Sequence, residues 1–156
     1  MKKKAGKAPQ TKRITNRRAR FDYELGDSLV VGLELTGAET KSLRMGHGQL
    51  RGAYITVKDE QLWLLNATIH GSSGVLIDET TQFRTRRLLA KRREINALIE
   101  AKQQGRTIVP LEILTQGRYI KMRLAIGKGK KHYDKRQALK KRDESRAISA
   151  ALKERH

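Results

Sequence analysis

Sixteen of this chain's nineteen net positive charges lie in fifty residues at its two ends, and no single feature limits the fold more. Residues 1–20 carry nine Lys and Arg and no acid, residues 127–156 carry eleven against four, and the stretch between carries fifteen against twelve. Segments so charged bury too little apolar surface to offset the entropy of ordering. The chain therefore reads in three parts. A basic N-terminal arm covers 1–20, a near-neutral domain covers 21–126, and a flexible basic tail covers 127–156, disordered when free and ordered on a partner. At 156 residues there is room for one hydrophobic core.

A net charge of +19 draws polyanions, of which nucleic acid is the commonest. Aromatic residues make up only 4% of the chain, so phosphate and shape contacts are expected to outweigh base stacking. The absence of Cys removes disulfides, thiolate metal sites and Cys nucleophiles, and agrees with a reducing cytoplasm. No run reaches the roughly 18 uncharged apolar residues of a membrane span, and the opening MKKKAGKAPQTKR leads into further charge instead of a signal core. The expected location is cytoplasmic, with no membrane partner.

Between Phe21 and Ile126 the pattern is mainly that of short strands. Leu29 to Leu35 is β-rich and ends at the turn signal Thr36-Gly37. Ala53 to Lys58 alternates, Asp59-Glu60 turns the chain, and Gln61 to Ala67 completes a hairpin. Thr107 to Leu114 and Tyr119 to Ile126 flank Thr115-Gln116-Gly117-Arg118 as a second hairpin. Two helices are expected: a short one from Ala38 to Met45, and a long one from about Thr85 to Gln104. The long one places Leu88, Leu89, Ile95, Leu98 and Ile99 at helical spacing and stops at Gly105. Gly71 to Gln82 reads as a loop. Roughly six strands with added helices suggest a small antiparallel barrel of the oligonucleotide-binding type, with an α+β sandwich as the alternative.

Catalytic constellations are not visible. His47, His70, His132 and His156 never stand at two-ligand spacing, so neither a metal site nor a cofactor is expected. Gly127-Lys128-Gly129-Lys130-Lys131 lacks the interval and the Ser/Thr of a triphosphate-binding loop. It reads as a hinge whose small residues let backbone approach phosphate.

Five blocks are more specific. They are Asn16-Arg17-Arg18-Ala19-Arg20-Phe21-Asp22-Tyr23; Leu35 to Arg44 with its Lys41-Ser42-Leu43-Arg44; Trp63-Leu64-Leu65-Asn66-Ala67; Arg86-Arg87-Leu88-Leu89 with Arg93-Glu94-Ile95; and Gly129-Lys130-Lys131-His132-Tyr133-Asp134-Lys135-Arg136. In that order the chain resembles the small protein B family, the SsrA-binding proteins that partner transfer-messenger RNA (tmRNA) in bacteria. The resemblance implies an oligonucleotide-binding-like barrel and a face for the tRNA-like end of tmRNA. It also implies a non-enzymatic role in trans-translation, the rescue of ribosomes stalled on messages lacking a usable stop. The body would stand in for the missing anticodon arm, and the tail would lie in the decoding centre and the empty message channel. The partners implied are tmRNA, the ribosome, chiefly its small-subunit RNA, and elongation factor Tu through the tmRNA complex.

Carried over by position, the tmRNA-binding set is Asn16, Arg18, Arg20, Lys41, Arg44, Arg86 and Leu89. The decoding-centre set is Gly129, Lys130, Lys131, Tyr133, Asp134, Lys135 and Arg136. Arg forks suit phosphate and Asn suits a base or sugar edge. Leu89 suits either an apolar RNA contact or helix packing. Tyr133 suits stacking, and Asp134 suits a base or a helix cap. Where the family has Glu before the strand glycine this chain has Val30, Phe21 replaces a common His, Gln82-Phe83 stand in place of the family's Asp-Pro, and Ala90 replaces a Leu. The competing classes are a ribosomal or general RNA-binding structural protein, which needs no Tyr-Asp-Lys-Arg block, and a small RNA-modifying enzyme, which needs a catalytic or cofactor motif.

Overall fold

The computed structural model describes residues 13–154, the side chains of His132 and Tyr133 excepted, so most of the expected N-terminal arm lies outside the described residues. In chain order the elements are β1 (Ile14–Thr15), α1 (Ala19–Asp22), β2 (Tyr23–Leu33), α2 (Gly37–Arg44), β3 (Gly48–Gln49), β4 (Tyr54–Lys58) and β5 (Gln61–Leu65). There follow β6 (Thr68–Ile69), α3 (Glu79–Gln82), β7 (Arg86–Leu89), α4 (Arg92–Gln103), β8 (Thr107–Leu114), β9 (Lys121–Gly129) and α5 (His132–Glu154).

Seven strands form an antiparallel sheet in the order β1-β8-β9-β2-β7-β5-β4, and β3 pairs with β6. The period-2 alternation of these strands sorts their side chains by face. One row runs Ile14, Ile113, Met122 and Val31 across β1, β8, β9 and β2, and all four are buried. The adjoining row on the other face runs Thr15, Glu112, Arg123 and Val30. Each large aliphatic side chain taken fully from water contributes about 1.5–3 kcal/mol, so the inner face fixes the register and leaves the outer face free for other chemistry.

The mainly β reading and both hairpins agree with the structure. Asp59 and Glu60 adopt φ of 51° and 58°, the left-handed pair that a two-residue hairpin turn requires. A closed barrel is not formed: β4 lies against β8, but the sheet order joins no ladder between them, so β1 and β4 remain edges. The ordered fold also begins before Phe21, because β1 pairs with β8 and α1 follows it. Gly127 to Gly129, expected as a hinge, continue β9 and pair with Leu25 to Tyr23.

The largest correction concerns the helix expected from Thr85. Its first part is β7, paired with both β2 and β5, and only Arg92–Gln103 is helical. Arg86-Arg87-Leu88-Leu89 alternates buried and exposed, a strand's period that four residues cannot distinguish from the start of a helix. The backbone amide of Lys91 donates to Glu94 Oε2 (2.9 Å) and starts α4, which buries Ile95, Leu98 and Ala101. Gly105, at φ 82°, ends it as expected. The loop reading of 71–82 gains one short turn of helix, α3.

Residues Thr36 to Arg44 form a pin through this structure. Thr36 Oγ1 accepts from the Glu39 amide (3.2 Å) while Glu39 Oε1 accepts from the Thr36 amide (3.4 Å), a capping box that starts α2. Glu39 is itself buried and also receives Arg84 and Arg86. Ser42 Oγ donates to the His70 carbonyl, and Leu43 is fully enclosed in the core. We expect Thr36→Ala to lower unfolding free energy by about 1 kcal/mol, read as a lower urea midpoint at constant slope.

Candidate nucleic-acid interface

The outer face of β9, β2 and β7 carries two adjoining depressions that meet at Val30. One, of about 490 Å³, is bordered by Leu89, Arg87, Lys91 and Lys121; the other, of about 720 Å³, by Arg20, Arg123 and Lys130. Val30, where they meet, and Leu89 are apolar side chains left 40% and 47% exposed in the middle of a sheet. Six cations around an exposed apolar strip suit a polyanion whose sugars and bases offer apolar faces. Of the carboxylates near it, Glu94 caps α4 and Glu112 pairs with Arg123 at 2.5 Å, while Glu24 stands exposed on the lining of the second depression.

Turning Arg86 to Leu89 into a strand removes the helix-packing alternative at Leu89. Successive residues of a strand face opposite sides, so Leu88 enters the core and Leu89 points out. Gly32 lies directly across from Leu89, where an added Cβ would approach Leu89 Cβ to 3.1 Å.

Arg86 leaves the set of RNA-facing residues. Its guanidinium is enclosed, paired with Glu39, and donates to the carbonyls of Ala67 (2.9 Å), Arg84 (3.1 Å), Thr81 (3.2 Å) and Gln82 (3.0 Å). Burial lowers its pKa, and the hydrogen bond and charge of Glu39 oppose that effect. Burial alone would raise the Glu39 carboxyl, but the hydrogen bonds and charges of Arg86 and Arg84 prevail and hold it below its ordinary value. Arg44 is also engaged internally: Nη1 donates to Thr115 O (2.9 Å) and Gly117 O (3.0 Å), and Nη2 to Arg118 O (3.0 Å). Lys41, one turn earlier, is exposed.

Asn16 has a structural engagement as well. Glu112 and Pro110 pair with neighbouring residues of β9, so Leu111 is a bulge residue. The Asn16 amide donates to Leu111 O (2.7 Å) and its Nδ2 to Pro110 O (2.9 Å), satisfying the carbonyls at the bulge.

Arm and tail residues converge at Asp22. Arg18 pairs with it at 3.5 Å and Lys135 at 3.4 Å, and the Lys130 amide donates to its carbonyl at 2.9 Å. Lys130 Nζ donates to Arg20 O at 2.9 Å, placing both residues at one end of the groove. Gly129 ends β9, while Lys131, Asp134 and Arg136 are exposed at the start of the tail. The Tyr133 side chain lies outside the described part. From Leu139 to Glu154, α5 is exposed along its whole length.

The family model described as SmpB protein matches residues 13–154. The chain belongs to the SmpB family. It is 42% identical over 141 residues to an SsrA-binding protein of Trichormus variabilis, covering 88% of this chain and 90% of that one. Against an SsrA-binding protein of Sphingomonas elodea it is 46% identical over 143 residues, covering 90% and 89%. A solved chain from a structure of tmRNA-SmpB in the bacterial ribosome is 34% identical, with a TM-score of 0.64, covering 81% of this chain and 94% of that one.

Within this SmpB-family chain, residues that sequence reasoning left out supply much of the groove: Arg87, Lys91, Lys121 and Arg123, around the Val30 already noted as a departure from the family. The alternation Lys121-Met122-Arg123-Leu124 signals the β9 pair. Arg87 and Lys91 were masked by the helix reading. Among the described residues no helix is long and apolar enough to cross a membrane, and no cluster of three or more His, Asp or Glu is placed to hold a metal ion.

Proposed function

We propose that this chain is the tmRNA-binding protein of trans-translation: it holds the tRNA-like domain of tmRNA, accompanies it to a stalled ribosome, and catalyses no reaction itself. The observation that carries this reading is the likeness, over four fifths of the chain, to a solved SmpB chain bound up with tmRNA and the ribosome. The cationic groove around Val30 and Leu89 is the RNA-facing surface. Arg18 and Arg20 reach phosphate from its surroundings, Lys41 does so from the exposed side of α2, and Asn16 shapes its rim.

The tail from Lys131 onward, with Asp134, Lys135, Arg136 and Tyr133, is the part that enters the decoding centre and message channel. A helix exposed on every side from Leu139 has only propensity to hold it, so it is largely unfolded in the free protein and helical among ribosomal phosphates. The curled seven-stranded sheet is an open form of the oligonucleotide-binding barrel, a reading that the approach of β4 to β8 supports. Elongation factor Tu joins through the RNA, and the setting is the cytoplasm.

The test is a titration against the tRNA-like domain of tmRNA and against an ordinary tRNA, at about physiological salt, where non-specific affinity is roughly 10⁻⁴ to 10⁻⁶ M. A preference of about a hundredfold or more is expected, given specific-to-non-specific ratios that start near 10³ for dedicated nucleic-acid binders. Equal, salt-sensitive binding to both RNAs overturns the reading in favour of a general RNA binder. Leu89→Asp puts a carboxylate on the apolar strip while Leu88 keeps its place in the core. It is expected to weaken tRNA-like-domain binding while the chain stays folded, with a modest fall in melting temperature for the half-buried side chain it removes.

A further inference from the structure

The turn between β8 and β9 is held more firmly than a connecting loop needs to be. The Arg44 guanidinium gathers three of its carbonyls, those of Thr115, Gly117 and Arg118, at 2.9–3.0 Å. Gly117 supplies the left-handed residue, at φ 92°, that turns the chain, and the buried Ile120 anchors the turn's exit. Next to this anchor stands Tyr119, 67% exposed, with the Arg118 guanidinium 5.5 Å from its ring centroid. Tyr119 stands in the bend that leads into β9, two residues before Lys121, and Lys121 borders the groove. An aromatic ring left in water, fixed on a braced turn and flanked by Arg118 and Lys121, has the form of a base-stacking site. Its ring offers a π face, and its neighbours answer the phosphates on either side of a base.

We infer that Tyr119 stacks on an unpaired base of the bound RNA, extending the cationic groove past Lys121, and that Arg44 is the positioning residue that presents it. This deepens the RNA-binding reading and rests on it. A braced turn gives the stack at small ordering cost, since the ring's backbone is fixed before RNA arrives. The occupant is a nucleobase and not an apolar protein side chain, because Arg118 stands over the ring and Lys121 follows two residues on, at the edge of a cationic groove.

The experiment measures affinity for the tRNA-like domain and for an ordinary tRNA, with salt dependence, for the wild type, Tyr119→Ala, Tyr119→Phe, Arg44→Lys and the Arg44→Lys/Tyr119→Ala double variant. Tyr119→Ala is expected to lose roughly tenfold in affinity with its salt slope unchanged, because a stack and not a phosphate contact is removed. Tyr119→Phe keeps the ring and is expected to restore binding. Arg44→Lys keeps the charge and loses the three-carbonyl brace, so it should weaken binding, and the double variant should be no worse than Tyr119→Ala alone. A photo-crosslinking phenylalanine analogue at position 119 should mark one nucleotide.

Unaltered affinity in Tyr119→Ala, or a loss shared equally by Tyr119→Phe, overturns the stacking assignment. Additive losses in the double variant overturn the role given to Arg44. The two levels separate cleanly. If the wild type prefers the tRNA-like domain and Tyr119→Ala binds as well, stacking falls and the tmRNA reading stands. If the wild type shows no preference while Tyr119→Ala weakens both RNAs, the reverse holds.

Discussion

Glu39→Ala is expected to lower the free energy of unfolding by about 3–5 kcal/mol, the usual result of leaving one member of a buried ion pair uncompensated. In this chain that member is Arg86, which is fully enclosed and has no path to water. The same change removes the carboxylate end of the capping box and a partner of Arg84. For a chain of this size the melting temperature should fall by on the order of 10 °C, measured by far-UV circular dichroism. Arg86→Met, which replaces the buried cation by an apolar chain of similar length, should restore part of that loss when combined with Glu39→Ala. A loss under 1 kcal/mol in Glu39→Ala would show that the ion pair does not pin α2 to β7.

The same pair fixes how the fold responds to acid. The Glu39 carboxyl lies below its ordinary value of about 4.5 in the folded chain, since Arg86 and Arg84 outweigh its burial. Its contribution to stability is therefore fully present above about pH 4.5 and is lost as pH falls further, through the lower folded value. Denaturant midpoints measured from pH 6 to pH 3 should drop for the wild type, and Glu39→Ala should lack this component of the drop.

Truncation after Lys130 is expected to abolish peptide tagging by tmRNA on stalled ribosomes while leaving affinity for the isolated tRNA-like domain within about tenfold, because the groove's cations stay in place and only tail phosphate contacts are lost. The position of the cut matters. Residues 127–129 pair with Tyr23 to Leu25, and the Lys130 amide and Nζ bind Asp22 and Arg20. Removing residues from 127 onward would unzip the end of β9 and one wall of the groove, confounding tail with body. Retained tagging would exclude the tail from the decoding step. A parallel loss of tagging and affinity would make the tail a general phosphate anchor.

Local pattern was enough where local physics decides. Charge segregation marked the polyanion-binding character, alternation gave both hairpins, Thr36-Gly37 marked the turn after a strand, and Gly105 marked the end of a helix. Five ordered motif blocks gave the family. What each block does was not legible. Lys41-Ser42-Leu43-Arg44 looks like a basic contact motif. In the fold, however, Ser42 and Leu43 are buried, Arg44 braces the turn at Gly117, and Lys41 alone of the four is exposed.

Arg86 shows why. A sequence assigns it a charge, and charge defaults to the surface; only Glu39, 47 positions away, together with four carbonyls, makes its burial tolerable. Leu89 is the converse case, an apolar residue exposed because β7 must direct Leu88 inward. The groove joins residues from β2, β7, β9 and the start of α4, which no window of sequence contains. The sequence by itself thus determined the chain's charge, its turns and its kinship. Tertiary structure decided which cations stand exposed around the groove and which are buried or paired, because burial and pairing depend on partners distant along the chain.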